Sequence, residues 1–289
     1  MPELIILSGK GGTGKTSITA ALASIFNSLV LADCDVDAAD LHLLLQPQII
    51  EQIEFWSGQT ALLDSSKCNQ CGLCRELCRF DAISANYLLD EIYCEGCGVC
   101  AAFCPTKAIK MTTNLAGELF ISQTKFGPFI HAHLKTGEEN SGKLVAEVRK
   151  KASQKAKKEH LSFVLIDGPP GIGCPAIASL SGAKYALIVT EPTLSGLHDL
   201  KRVIELTAHF QVKSFICINK TDINKKQAAA IKKYCAARDL KIVGQIPYDE
   251  MFTQAQIAGK NILEYAPNSE VSQAIKKMAE QLIKLTHEE

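Results

Sequence analysis

Two sets of residues in this 289-residue chain stand at spacings that could do chemistry. The first is Gly9-Lys10-Gly11-Gly12-Thr13-Gly14-Lys15-Thr16, which fits G-x-x-x-x-G-K-[ST] in full and is followed by Ser17. Glycines let such a loop curl so that its N–H groups face phosphate oxygens, and the helix that follows adds a favourable dipole. Lys15 can then reach the β- and γ-phosphates, and the Thr16 hydroxyl can ligate Mg²⁺. The second set is eight of the twelve cysteines. Cys68, Cys71, Cys74 and Cys78 follow C-x2-C-x2-C-x3-C, and Cys94, Cys97, Cys100 and Cys104 repeat it 26 residues later. Gly72 matches Gly98, and Ala82-Ile83 matches Ala108-Ile109, so the block is an internal duplication. Thiols at such spacing are metal ligands rather than a disulfide framework in a reducing compartment.

Carboxylates complete the chemistry. Leu29–Asp33 reads as a buried strand that ends in Asp33-Cys34-Asp35-Val36-Asp37-Ala38-Ala39-Asp40. At the carboxyl edge of a parallel sheet these aspartates would face a ligand and its metal, or else cap a short helix. Ser162–Asp167 is a second apolar strand ending in Asp, followed by Gly168-Pro169-Pro170-Gly171. A carboxylate in that position holds a Mg²⁺-bound water. Thr16, Asp167 and one or more of the aspartates from Asp33 to Asp40 are therefore the candidate magnesium residues.

The elements that position these groups alternate. Leu4–Ser8 reads as a strand and Lys15–Phe26 as a helix. After the cysteine block come strands at Glu118–Ser122 and Phe129–Leu134, and an amphipathic helix over Lys143–Lys158. Strands at Ala186–Thr190, Ser214–Asn219 and Ile242–Ile246 then alternate with helices at Ser195–Phe210, Lys225–Ala237 and Val271–Leu285. The expected fold is an α/β, doubly wound, mainly parallel sheet with a small inserted α+β domain. The expected boundaries are 1–58 and 115–289 for the nucleotide domain and 59–114 for the insertion. Residues from Pro47 to about Leu63 read as short alternating segments. His131 and His133, two apart on a strand, read as structural.

Composition excludes other classes. Lys+Arg and Asp+Glu both number 31, so net charge gives no hint of nucleic acid, and an aromatic content of 6% argues against base-stacking surfaces. No apolar run of membrane-spanning length occurs. Met1-Pro2-Glu3 leads straight into a strand with no basic region or cleavage site, so a cytoplasmic location is expected.

The eight-cysteine block resembles the bacterial ferredoxin signature for two 4Fe–4S clusters, in which the fourth ligand of each comes from the other repeat. That resemblance implies Cys68, Cys71, Cys74 and Cys104 for one cluster and Cys94, Cys97, Cys100 and Cys78 for the other. Structural zinc would favour paired C-x2-C knuckles instead.

The glycine loop, with Lys10 after its first glycine, resembles the deviant Walker A of the MinD/ParA/Mrp/nitrogenase iron protein superfamily. Asp33-Cys34-Asp35-Val36-Asp37, Asp167-Gly-Pro-Pro-Gly-Ile-Gly-Cys174-Pro175, Glu191-Pro192-Thr193 and Asn219-Lys220 extend the likeness over essentially the whole chain. It looks like the members of that superfamily that carry an inserted ferredoxin domain. The resemblance implies a Mg²⁺-dependent ATPase that forms a homodimer around ATP. Lys10 would reach the partner's phosphates, Lys15 would hold its own subunit's, and Asp35 would orient the attacking water and join Thr16 and Asp167 at the magnesium. Asn219, Lys220 and Pro247, the last in an Ile246-Pro247-Tyr248-Asp249 loop, would lie on the base side.

An ATPase coupled to electron transfer with a separate redox partner is the reading these features favour. The alternative is an Mrp-like iron–sulfur carrier, which would use a C-x-x-C in the C-terminal half; none follows Cys100. A MinD-like positioning ATPase would need a basic amphipathic C-terminal helix, whereas Val271–Glu289 mixes Lys276, Lys277 and Lys284 with Glu280, Glu288 and Glu289. An amidating synthase would need a glutaminase domain as well. Cys174 lies seven residues after Asp167, an offset used in nitrogenase iron protein for a cluster shared between subunits. Its second ligand is missing between Cys104 and Cys174, so no bridging cluster is expected.

Overall fold

The computed structural model describes residues 2–135, 138 and 141–287. The chain divides into two compact units, Met1–Ile53 with Leu119–His133 and Ser141–Glu289, and Glu54–Glu118 with Leu134–Asn140. Its strands are β1 (Glu3–Ser8), β2 (Leu29–Asp33), β3 (Gln48–Leu63), β4 (Ile109–Thr124), β5 (Gly127–Leu134), β6 (Phe163–Pro170), β7 (Tyr185–Thr190), β8 (Lys213–Asn219) and β9 (Lys241–Ile246). They hydrogen-bond in the order β3-β4-β5-β2-β6-β1-β7-β8-β9.

In the first unit, β5-β2-β6-β1-β7-β8-β9 pair in parallel throughout. β1 sits between β6 and β7, where the strand order reverses, and open α/β sheets bind ligands at that point. Residues 4–7 of β1 and 29–32 of β2 are apolar at every position because helices cover both faces. Leu4 and Ile6 of β1 enter one core with the helices Lys15–Ala23 and Glu270–His287, represented by Ile18, Leu22, Ile275 and Leu282. Ile5 and Leu7, fully buried, point to the opposite face. The helices Ser141–Lys158, Leu194–His209 and Lys225–Ala236 each bury one apolar stripe and expose most of their charges, Arg149, paired with Glu3, being an exception. Among the described residues no helix is long and apolar enough to cross a membrane.

Two local expectations change. Residues 48–63 form one sixteen-residue strand rather than several short segments. The first helix stops at Ala23, where the Ser24, Ile25 and Phe26 amides turn back onto Ala21 and Leu22 carbonyls. β4 and β5 are joined by only Lys125-Phe126, too short for a parallel crossover, so they form a hairpin.

His131 on β5 is 8% exposed. Its Nε2 lies 3.0 Å from Ser122 Oγ, and its ring stacks on Phe129, Phe120 and His42. Burial first, and then the neighbouring His42, push its pKa down to about 4. Between that value and the unfolded value of about 6.5 the native state binds fewer protons, so stability is lost as pH falls through this window. The loss is on the order of 3 kcal/mol at the acid end. Urea unfolding at neutral pH and near pH 4.5 should show a smaller acid loss for His131→Gln than for the native chain. His133 is exposed.

In the second unit the duplication is written into the backbone. Gln70 and Gly96 have φ of 57° and 61°, Gly72 and Gly98 of 83° and 73°, and Asp81 and Lys107 of 52° and 53°. Each repeat places a short helix after its glycine, Leu73–Leu77 and Val99–Ala102. Both Ala-Ile pairs, Ala82-Ile83 and Ala108-Ile109, are buried.

Candidate functional site

The glycine loop leaves β1 and enters the helix Lys15–Ala23 through Gly14, whose φ is +91°. A Cβ there would stand 2.4 Å from Asn219 Nδ2, so conformation and space both require glycine. Asn219 Nδ2 donates to Thr13 O at 2.8 Å, and its Oδ1 accepts the Lys220 amide. Lys220 Nζ donates to Gly12 O. Asn219 and Lys220 thus buttress the loop from the end of β8 while also lining the cavity beside it.

That cavity, of about 720 Å³, is lined by Gly11 to Thr16, Asp35, Asp40, Pro170, Asn219, Lys220 and the Pro247-Tyr248-Asp249 loop, among others. Its volume is that of a small-molecule site. Ser17 accepts from Gln256 Nε2 at 2.8 Å, a residue that lines the same cavity. Gly9 packs on the helix Leu194–His209 and Lys10 is absent from the lining.

Under the loop, β2 and β6 are in register at Asp33 and Asp167, and Asp167 pairs with Ile6 of β1. This sheet geometry sets two buried carboxylates side by side. Lys15 Nζ lies 2.9 Å from Asp167 and 3.5 Å from Asp35. Thr16 Oγ1 donates to Asp167 Oδ2 at 2.8 Å, and Thr19 Oγ1 donates to Oδ1 at 2.9 Å. Burial alone would depress the Lys15 pKa, but Asp167, Asp35 and Asp33 outweigh it and raise it. Burial and the Asp167 charge push Asp33 well above the carboxylate range, against the pull of Lys15. Burial lifts Asp35 to about 6, with Lys15 opposing and Asp167 reinforcing.

Asp33, read at first as one of four acidic residues, holds the segment above it. Its carboxylate accepts the Asp35 amide at 3.0 Å and the Leu41 amide at 3.3 Å, closing residues 33–41 into a loop. Thr19 is a site neighbour that motif spacing did not single out, and Glu191, part of the Glu191-Pro192-Thr193 stretch, has no role assigned by that motif. Thr19 is four residues after Lys15, on the same helix face, and that spacing could have revealed it. Glu191 pairs with Lys10 at 2.5 Å and with Lys220 at 3.3 Å, and Lys10 also donates to Ser195 Oγ. These partners come from β7 and its following helix, so no local pattern connects them.

In the second unit, Cys68, Cys71, Cys74 and Cys104 line one cavity. Cys78, Cys94, Cys97 and Cys100 line another. Each cavity therefore takes three cysteines from one repeat and the last cysteine of the other. Gln70 N donates to Cys68 Sγ at 3.4 Å and Ala108 N to Cys104 Sγ at 3.2 Å. Three closely spaced cysteines with a fourth from the other repeat, twice over, are the donor set of a cubane cluster, whereas structural zinc would favour two C-x2-C pairs.

Cys174 is exposed at the start of the helix Cys174–Leu180. Cys34, Cys217 and Cys235 are buried, and burial pushes Cys217 up to about 12 and Cys235 to about 11, which keeps both as thiols.

Comparison with known proteins places this geometry. The uncharacterized protein MJ0578 of Methanocaldococcus jannaschii is 34% identical over 283 residues, 97% of this chain and 96% of its own length. The cytosolic Fe-S cluster assembly factor NBP35 of Eremothecium gossypii is 24% identical over 141 residues, 43% of this chain and 42% of its own. The septum site-determining protein MinD of Pyrococcus horikoshii, solved with Mg-ADP, superposes with a TM-score of 0.61 at 20% identity, covering 99% of this chain and 97% of that one. The CobQ/CobB/MinD/ParA nucleotide binding domain matches residues 4–262. With its glycine loop at the switch point of a parallel sheet and Asp167 beside Lys15 and Thr16, the chain belongs to the CobQ/CobB/MinD/ParA nucleotide-binding domain family and has its P-loop ATPase fold.

Proposed function

We propose that this protein is a Mg²⁺-dependent, dimerising ATPase whose inserted domain, about residues 59–114, carries two 4Fe–4S clusters for electron transfer to a partner protein. The observation that carries the reading is the interlocked pair of cysteine quartets, each lining its own cavity, in a chain whose other unit holds Lys15, Thr16 and Asp35 around one cavity, with buried Asp167 bonded to Lys15 and Thr16. The clusters would supply one-electron chemistry. The chain's own residues do the rest. Lys15 and the loop amides would hold the β- and γ-phosphates, and Thr16 and Asp167 would hold Mg²⁺ with Asp35 beside them. Asp35, ionised above about pH 6, orients water. Asn219, Lys220 and Pro247 shape the base side. Nucleotide state acts through the segment that Asp33 closes, because contacts to a γ-phosphate order such loops and hydrolysis releases them.

Anaerobic reconstitution followed by iron analysis tests the first half. About eight iron atoms per chain are expected, four for each quartet. About ten would require an additional cluster shared through Cys174, and tightly bound zinc would overturn the reading. Cluster reduction rates measured with ATP, with ADP and without nucleotide test the coupling; equal rates in all three would remove it. A cluster-carrier role is the second reading, favoured by the partial match to the assembly factor NBP35. In that case iron would pass to an apo-acceptor protein while the quartets lost it.

A further inference from the structure

The two thiolate quartets arise from one duplicated unit, so positions 26 residues apart should be equivalent, and the backbone angles of the pairs above agree within about ten degrees. Against that near-identity the side chains facing the two cavities differ at several positions, two of which change the polar groups beside the cysteines. Thr106, whose Oγ1 stands 3.6 Å from Cys104 Sγ, is matched in the other repeat by Phe80. Thr106 lines the cavity of Cys68, Cys71, Cys74 and Cys104; Phe80 lines the cavity of Cys78, Cys94, Cys97 and Cys100. Asn69 lines the first cavity and its counterpart, Glu95, the second. The amides differ too. Gln70 N and Ala108 N each donate to a cysteine sulfur of the first quartet, whereas their counterparts Gly96 and Ala82 make no such bond.

Resting on the cluster reading above, we propose that these substitutions tune the two sites apart, so that the site held by Cys68, Cys71, Cys74 and Cys104 accepts an electron first and Thr106 is the residue chiefly responsible. Reduction adds one negative charge to a cluster and its thiolates. An O–H or N–H pointed at sulfur stabilises that charge and raises the potential, while a carboxylate beside it opposes the charge and lowers the potential. The first quartet has the hydroxyl, both amides and a neutral Asn; the second has a phenyl ring and Glu95. Exposed Arg79, beside Cys78, works the other way, and Asp81 and Lys107 at one matched pair favour the proposal; these three and Glu95 are all exposed, where charge is screened, so the hydroxyl and the two amides carry most of the difference. One electron from an external one-electron reductant thus settles on the first site, and a second is needed to reduce the other. No proton or bond change is involved.

The test is a dithionite titration of the full-length reconstituted protein, monitored by electron paramagnetic resonance at set potentials. The native chain should show two separate one-electron waves. Thr106→Val should lower the upper wave and leave the lower one in place, while Phe80→Thr should raise the lower wave toward the upper. Iron content and visible absorption keep the outcomes apart. About eight irons with coincident waves, or with both waves unmoved by Thr106→Val, would overturn this proposal and leave the cluster reading standing. Failure of the native chain to take up iron would overturn both. If Thr106→Val itself loses iron, Phe80→Thr still decides, since a lower wave that stays in place contradicts the assignment.

Discussion

Lys15→Ala should destabilise the nucleotide-free protein as well as disable it. Lys15 is the cation that faces Asp167, Asp35 and Asp33, and it is 6% exposed. Removing one partner of a buried ion pair typically costs about 3–5 kcal/mol, because the charge left behind has neither water nor a counterion. Lys15→Met keeps most of the buried stem and should lose nearly as much, which separates charge from packing. The deficit has a pH signature. Asp33 and Asp35 already have raised pKa values, and without Lys15 they rise further. A carboxyl with a folded pKa above its unfolded one binds more protons when folded, so stability recovers as pH falls. Denaturant unfolding of Lys15→Met should therefore show a smaller deficit near pH 5 than near pH 8. A pH-independent deficit would mean the aspartates do not carry the effect. ATP turnover should fall on the order of 10³-fold, since the loop lysine supplies charge that is fully used only in the transition state.

Lys10→Ala should divide binding from hydrolysis. Within one chain Lys10 does not line the phosphate cavity and is held by Glu191 and Ser195 instead. If it acts, it acts on a second copy, as a charged finger supplied in trans. Such fingers are worth about 10³–10⁵ in turnover. The expected result is ATP affinity within a few-fold of native, turnover down on the order of 10³-fold, and loss of the nucleotide-dependent dimer on gel filtration. Native turnover in the variant would remove the dimer from the proposed mechanism. A large loss of affinity with turnover preserved at saturation would place Lys10 in its own subunit's site.

Much of this was legible in one dimension because it is local. A phosphate loop is a continuous backbone feature, so Gly9 to Thr16 can be read without knowing the sheet. Strand and helix order follow from apolar periodicity, and that order limits the sheet to a parallel, doubly wound class. The cysteine spacing and its repeat are equally local. The single long strand at 48–63 was missed because its first residues are exposed on both faces, which leaves no alternation to read.

By itself the sequence determined the loop, the two carboxylate-ended strands, the duplicated cysteine block and the alternating elements between them. Only tertiary structure decided which of four aspartates sits beside Lys15, because that depends on β2 and β6 pairing at Asp33 and Asp167. It turned Asn219 into a brace for Thr13 and put Glu191 on Lys10. Each fourth cysteine, expected from the resemblance to join the other repeat's set, reaches that cavity only through the folding of the two repeats together. These are contacts between residues far apart in the chain, and they depend on register and packing, which are properties of neighbouring strands and folded repeats rather than of any one segment.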